Sequence, residues 1–258
     1  MKKMLIGLLL AIVVIAGGAY FFTQHSTVDK QGDVLSFIKK QGVTIIDSFE
    51  TPSKLTGYVG TYKDEPMSIY VTPDKRYAVV GDLIDADGKN LGADAINQLV
   101  TKPKNEKLWQ QLEEADWVQD GDKNAPRIIY TFTDPYCPYC HKFREMAEPY
   151  IAEGKVQFRH IIVGILQQKS LAAAATIMGS DSPEEAFQQH RQLSEKGGIA
   201  IDNAKASKGN DIVLANNHLM EDLHMHATPT NVYRDNDGEI QVVEGMPVQQ
   251  EIKRIFGE

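Results

Sequence analysis

The chain of 258 residues is 42% hydrophobic and 24% charged, with a formal net charge of −8. Length and composition allow one or two globular domains with real cores. The acidic balance excludes the basic surface that nucleic-acid binding requires and otherwise speaks only to solubility.

Taken in chain order, residues 1–25 form an export segment. Lys2 and Lys3 make a short basic start, and Met4 to Phe22 carries no charge. An apolar stretch from Met4 to Ile15 followed by Gly17-Gly18-Ala19 fits a cleaved signal peptide. The run continues through Tyr20-Phe21-Phe22, close to the roughly 20 residues that span a bilayer, so an uncleaved N-terminal anchor fits as well. Both readings put the body of the chain outside the cytoplasm.

Residues 26–90 read as a unit of short strands. Val34-Leu35 and Phe37-Ile38 predict a brief amphipathic helix ending at Gln41-Gly42. Strand patterns follow at residues 43–46, 57–62, 67–71 and 77–80, separated by Thr51-Pro52-Ser53, Asp64-Glu65-Pro66 and Thr72-Pro73-Asp74. Asp85-Ala86-Asp87-Gly88 and Asp235-Asn236-Asp237-Gly238 lack the spacing and closing Glu of a calcium loop and read as hairpin turns. A unit of about 60 residues is marginal alone, so an antiparallel meander with open edges is expected to pair with something. Residues 91–118 then turn helical through Leu91, Ile96, Leu99, Leu108 and Leu112, a linker helix broken near Pro103, with Trp109 and Trp117 as packing residues.

Residues 119–258 read as one α/β domain. Arg127 to Phe132 is a buried strand pattern, and Phe143, Met146, Ala147, Tyr150 and Ile151 have helical spacing. Between them stand the only two cysteines of the chain, Cys137 and Cys140, on a strand-to-helix turn. A helix N-terminus offers unpaired N–H groups and the positive end of the dipole, which stabilise an anion. A thiol there can fall from about 8.5 into the range of about 3.5 to 7.5. Cys137 is therefore expected to be an exposed nucleophile, and Cys140 the resolving thiol buried behind it. A structural disulfide would close too short a loop to restrain the unfolded chain much, and a zinc site would need two further ligands. Cys137-Pro138-Tyr139-Cys140-His141 also satisfies the C-x-x-C-H haem-attachment pattern, which the local string leaves open.

Further on, Lys155 to Val163 is a second strand, and residues 166–220 form a helical insertion containing Ala172 to Ala175 and a helix start at Ser182-Pro183. Thr230 to Arg234 and Glu239 to Val243 make a hairpin, and Val248 to Phe256 closes with a short amphipathic helix. His224 and His226 flank Ala227-Thr228-Pro229 and read as ordinary loop histidines. Helices placed between two strand pairs, with the dithiol at the first strand-to-helix turn, give the thioredoxin order.

At this point the chain resembles the periplasmic DsbC/DsbG family of thiol:disulfide interchange proteins. The resemblance covers nearly everything after the export segment. It rests on Asp134-Pro135-Tyr136-Cys137-Pro138-Tyr139-Cys140 and Ala227-Thr228-Pro229, and on Gly42 to Ile46, Gly57 to Gly60 and Met220 to Leu223. The Pro-Tyr dipeptide, Thr228 and the absence of further cysteines match the DsbG branch better. The resemblance implies an α+β chain: an N-terminal cystatin-like dimerisation domain, a linker helix and a C-terminal thioredoxin fold with a helical insertion. It implies a redox-active Cys137–Cys140 disulfide faced by a cis Pro229, with Thr228 touching the reactive sulfur and Pro138 and Tyr139 completing the wall. That facing Thr-Pro loop, which haem attachment does not require, makes haem a remote third reading, and no cofactor or metal is expected. The resemblance further implies a V-shaped homodimer kept reduced by the inner-membrane reductase DsbD. Its substrates would be exported proteins with non-native disulfides or sulfenic acids. A binding module that holds unfolded exported chains as a chaperone is the alternative of a different class.

Overall fold

A computed structural model describes residues 33–258; the export segment lies outside the described residues. The chain divides after Thr101 into two compact units.

In the first unit, helix α1 (Val34–Lys40) is capped by Asp33, whose carboxylate accepts from the Leu35 N–H, and ends with Lys39 and Lys40 in its last turn. Both features suit the helix dipole. Four strands follow: β1 (Thr44–Glu50), β2 (Thr56–Tyr62), β3 (Glu65–Val71) and β4 (Ala78–Val80). They form an antiparallel meander in chain order. Ile38 of α1 packs with Ile69 and Val71 of β3, and Val34, Leu35, Ile45 and Tyr58 close the cluster. That core is small. The outer strands are poorly covered, with Val79 and Val80 of β4 60% and 54% exposed. A short helix α2 (Ala93–Ile96) runs into a π-helical turn, Asn97–Thr101, ahead of α3 (Lys102–Glu114). Pro103 therefore falls just past the π-helical segment, inside one continuous helical run of residues 93–114.

The second unit is built on a five-stranded sheet in the order β5-β7-β6-β8-β9. The strands are β5 (Val118–Asp120), β6 (Arg127–Thr133), β7 (Val156–Ile162), β8 (Thr230–Arg234) and β9 (Ile240–Glu244). β6 and β7 are parallel and joined by α4 (Pro138–Ala152); the other pairings are antiparallel. Alternation along β6 serves both faces. Tyr130 and Phe132 join Trp109, Leu112, Met220 and Val232 on one side. Ile129 joins Phe143, Phe158, Ile255 and Phe256 on the other, against α4 and α8 (Gln249–Phe256). β5 is missing from the sequence-based expectation, which ran the linker to residue 118: three residues on a sheet edge leave no periodicity to read.

The insertion consists of three α-helices, α5 (Ser170–Met178), α6 (Pro183–Gln192) and α7 (Asn203–Asp222), with Ser182 as the N-cap of α6. Ala174, Ala175, Ile177, Phe187 and Val213 make its own core against Val118 and Ile162. α5 and α7 meet where Gly179 and Gly209 face each other's backbones, since a Cβ on Gly209 would lie 2.2 Å from the Ala175 carbonyl oxygen. Asn216 of α7 fastens the insertion to the sheet by donating to the carbonyls of Asp116 and Ile162, 3.0 Å each.

Candidate active site

β6 and the first turn of α4 place the two cysteines. Cys137 is the N-cap residue, with extended backbone angles, and Pro138 occupies the first helical position. A proline there loses nothing, because the first N–H groups of a helix have no internal partner. The Cys140 N–H points at Cys137 Sγ, 3.1 Å away. Cys137 and Cys140 form a disulfide.

Opposite them runs the loop before β8, with a cis Thr228–Pro229 bond. The Thr228 carbonyl oxygen lies 3.3 Å from Cys137 Sγ. Thr228 Oγ1 is buried and has no hydrogen-bond partner. The loop is fixed from both sides: Thr230 Oγ1 donates to the Ala227 carbonyl at 2.6 Å, and the Gly245 N–H to the Pro229 carbonyl at 2.7 Å. Pro138 and Tyr139 face solvent, Tyr139 being 58% exposed.

One expectation fails. Cys137 was to be exposed with Cys140 behind it, yet in this disulfide form Cys137 is 1% exposed and Cys140 6%. The Thr228–Pro229 loop covers the sulfur that the helix terminus presents, so what solvent meets here is the Pro138-Tyr139 ridge. Of the residues singled out from sequence, Cys137, Cys140, Thr228 and Pro229 come together, and Pro138 and Tyr139 form the outer rim. His224 and His226 are exposed, and His226 offers only its backbone N–H, to Glu244.

Both sulfurs are bonded to each other, and His141 Nε2 turns toward the Pro135 carbonyl oxygen, 3.4 Å away.

Two supporting residues carried no assigned role in the sequence. Asp134 is fully buried, and its carboxylate accepts four bonds of 2.8–2.9 Å, from the N–H groups of Tyr136, Ile165 and Leu166 and from Ser170 Oγ. It thus ties the turn before Cys137 to the chain leading into α5. His190 of α6 lies 2.8 Å from the Pro135 carbonyl oxygen through Nε2, and its Nδ1 accepts from the Ile199 N–H at 3.4 Å. This pairing makes it the neutral, Nε2-protonated tautomer. Burial holds His190 below the ordinary imidazole range. Gly198, at φ +82°, lies flat on the ring, where a Cβ would sit 2.2 Å from it. Asp134 had a sequence signal, a carboxylate three residues before the first cysteine; His190, 53 positions after it, had none.

Comparison with known proteins agrees with this construction. Residues 117–258 match the thioredoxin-like domain family, and residues 27–93 match the disulfide bond isomerase protein N-terminal domain. The thiol:disulfide interchange protein DsbG of Escherichia coli K12 is 36% identical over 220 residues, covering 85% of this chain and 89% of that protein. Its namesake from Pseudomonas aeruginosa PAO1 is 37% identical over 224 residues, covering 86% and 87%. Among solved structures, DsbG of Helicobacter pylori is 17% identical with a TM-score of 0.40, covering 78% of this chain and 99% of that one, too loose a likeness to carry weight. A disulfide-bonded pair capping a helix in a thioredoxin-like domain, behind a DsbC-type N-terminal domain, places the chain in the DsbC/DsbG family of thiol:disulfide interchange proteins, on the DsbG side.

Proposed function

We propose that this thiol:disulfide oxidoreductase works in the periplasm as an isomerase or reductase of disulfides in exported proteins, with Cys137 as nucleophile and Cys140 as resolving thiol. The observation that carries the roles is the position of Cys137 as N-cap of α4, with the Cys140 N–H aimed at its sulfur. The Cys137 thiolate attacks a substrate disulfide, a Cys137–substrate bond forms and the partner sulfur leaves as thiolate. Cys140, or the substrate's own thiol, then displaces the substrate. On a sulfenic acid the same attack forms the mixed disulfide and releases water. Thr228, Pro229, Pro138 and Tyr139 form the wall against which the substrate lies. An external dithiol reductant restores the pair, a role that suits an inner-membrane reductase such as DsbD.

Cys140→Ala tests the assignment. It should accumulate mixed disulfides through Cys137 when the substrate has no second thiol in reach, and mass spectrometry of the adducts identifies disulfide or sulfenic substrates. Turnover equal to wild type would remove Cys140 from the mechanism. The first unit is proposed to pair two copies through its exposed strand edges, in line with its weak core and the exposure of Val79 and Val80.

A further inference from the structure

Beneath the disulfide lies a polar cluster that the exchange chemistry leaves without a role. Asp120 of β5 accepts from Arg144 of α4 through Nε and Nη2, and from Arg191 of α6 through Nη1 at 2.7 Å. His160 of β7 is buried between them, with Nε2 3.3 Å from Asp120 Oδ2 and Nδ1 3.1 Å from Thr133 Oγ1. A cavity with room for about one water is bordered by Cys140, His141, Arg144, His160 and Arg191. Cys140, Arg144 and Arg191 therefore border one small space.

Asp120 is the only carboxylate within ion-pair distance of Arg191 among the described residues, and it is shared with Arg144. Glu148 reaches Arg144 from the solvent side, its side chain 63% exposed and hence screened. Glu184 and Glu185, on the same helix as Arg191, are exposed. Asp134, which also borders the cavity, is a buried carboxylate that accepts from four neutral donors and makes no ion pair among the described residues. His160 adds no charge near neutrality, because burial, with Arg191 and Arg144 nearby, outweighs the pull of Asp120 and holds it below the usual imidazole range. His141 is likewise held low by burial. Two guanidinium groups thus share Asp120 on the wall of the cavity that Cys140 borders.

Resolution needs positive charge of that kind. Burial raises a thiol's pKa, yet Cys140 must be a thiolate to attack. We propose that Arg191, held on Asp120 from the helical insertion, stabilises the Cys140 thiolate and thereby speeds release of substrate from the mixed disulfide. The step balances: Cys140 gives its proton to water and its thiolate forms a bond to Cys137 Sγ. The Cys137–substrate bond breaks, and the substrate leaves as a thiolate that takes up a proton. In this step the Cys140 sulfur is oxidised and the leaving substrate sulfur reduced by the same amount, Cys137 staying in a disulfide throughout; two electrons pass from the pair to a substrate disulfide only over the whole cycle.

This rests on the proposed role of Cys140 as resolving thiol, and its test is separable from that role. In a Cys137→Ala background the lone Cys140 is titrated by thiolate absorbance and by alkylation rate, with folding checked by circular dichroism. Arg191→Met should raise the Cys140 pKa by about one unit, roughly tenfold in thiolate fraction near neutrality. Arg191→Lys should restore most of it, and Asp120→Asn, which removes the carboxylate that Arg144 and Arg191 share, should shift it down. In the intact dithiol protein Arg191→Met should slow substrate release about tenfold at pH 7, with recovery as the pH rises, and leave the alkylation rate of Cys137 unchanged. An unmoved Cys140 pKa in folded Arg191→Met overturns the proposal, as does an upward shift in Asp120→Asn. Should Arg191→Met not fold, the Lys and Asn variants decide. If Cys140→Ala turned over like wild type, the resolving role would fall while the titration still reported on the charge.

Discussion

Thr228→Val separates the chemistry of the cis-proline loop from its shape, because valine keeps the branched outline and removes only the hydroxyl. In the disulfide form Thr228 Oγ1 is buried without a partner. Such an orphan costs about 1–3 kcal/mol. The expectation is that on reduction the Thr228 hydroxyl turns to the Cys137 thiolate, whose sulfur the Thr228 carbonyl already meets at 3.3 Å, and gains a charge-assisted bond worth about 1.5–3 kcal/mol. The neighbouring Thr228 carbonyl, 3.3 Å from the sulfur, works the other way, since an oxygen acceptor favours the protonated thiol. The hydroxyl and the Cys140 N–H must outweigh it for the thiolate to persist. Thr228→Val removes the bond from the reduced form and the orphan from the oxidised form, so both terms push the same way. The Cys137 pKa, which depends on the reduced form alone, should rise by about one to two units at 1.36 kcal/mol each. The reduction potential, which depends on both forms, should become more negative by at least roughly 30 mV, the equivalent of about 1.4 kcal/mol. Thiolate absorbance in the Cys140→Ala background gives the first number, and equilibration of the intact pair with glutathione gives the second. If neither moves, the hydroxyl has no part in the redox chemistry and this account of the loop is wrong.

Asp134→Asn swaps a four-fold acceptor for a group that must turn an NH2 toward donors; a loss of roughly 2–4 kcal/mol is expected in urea unfolding, with Ser170→Ala losing less. Stability should also fall on acidification below pH 6.5, the ordinary imidazole value from which both His160 and His190 are lowered. Burial lowers both pKa values in the folded state, so the unfolded chain takes up protons first, and the slope approaches about 1.4 kcal/mol per pH unit for each histidine; denaturant melts at pH 7.5 and 5.5 check it, and a flat profile counts against the neutral assignments. Asp120, held far below the usual carboxylate range by Arg144 and His160 against the cost of burial, should add a further loss as pH falls below 3.8. Residues 26–90 expressed alone should sediment as a dimer, and deleting them should leave a monomer; a monomeric full-length chain at micromolar concentration would contradict the pairing of the strand edges.

Much of the fold was legible because its signals are local. The β6 run, the α4 periodicity and the hairpin across Asp235 to Gly238 each declare themselves within ten to fifteen residues, and their order is enough for a thioredoxin-like arrangement. The three-residue β5 was not legible, since it is strand only by virtue of pairing with β7 at Val118, Gln119 and Asp120. Nor was the division of residues 166–220 into separate helices fully readable. Ser182-Pro183 marked one start, but the close approach of α5 and α7 depends on Gly179 and Gly209, thirty positions apart, losing side chains where two backbones meet.

The site divides along the same line. Cys137 and Cys140 share one turn of helix, and Thr228-Pro229 was found through resemblance; the groups that hold and charge them arrive from elsewhere in the chain. His190 and Arg191 are neighbours on α6 and act on different sides of the dithiol. His190 fixes the Pro135 carbonyl just ahead of Cys137, while Arg191 reaches Asp120 beneath Cys140. On the role proposed for Arg191, a single helical step addresses both sulfurs, one through the backbone that aims it and the other through a guanidinium held on Asp120. A shift of α6 should then change both cysteines at once. In that proposal the exposed Pro138-Tyr139 ridge meets substrate, while the chemistry of the pair is set from the buried side by an insertion whose sequence, read alone, shows only helix.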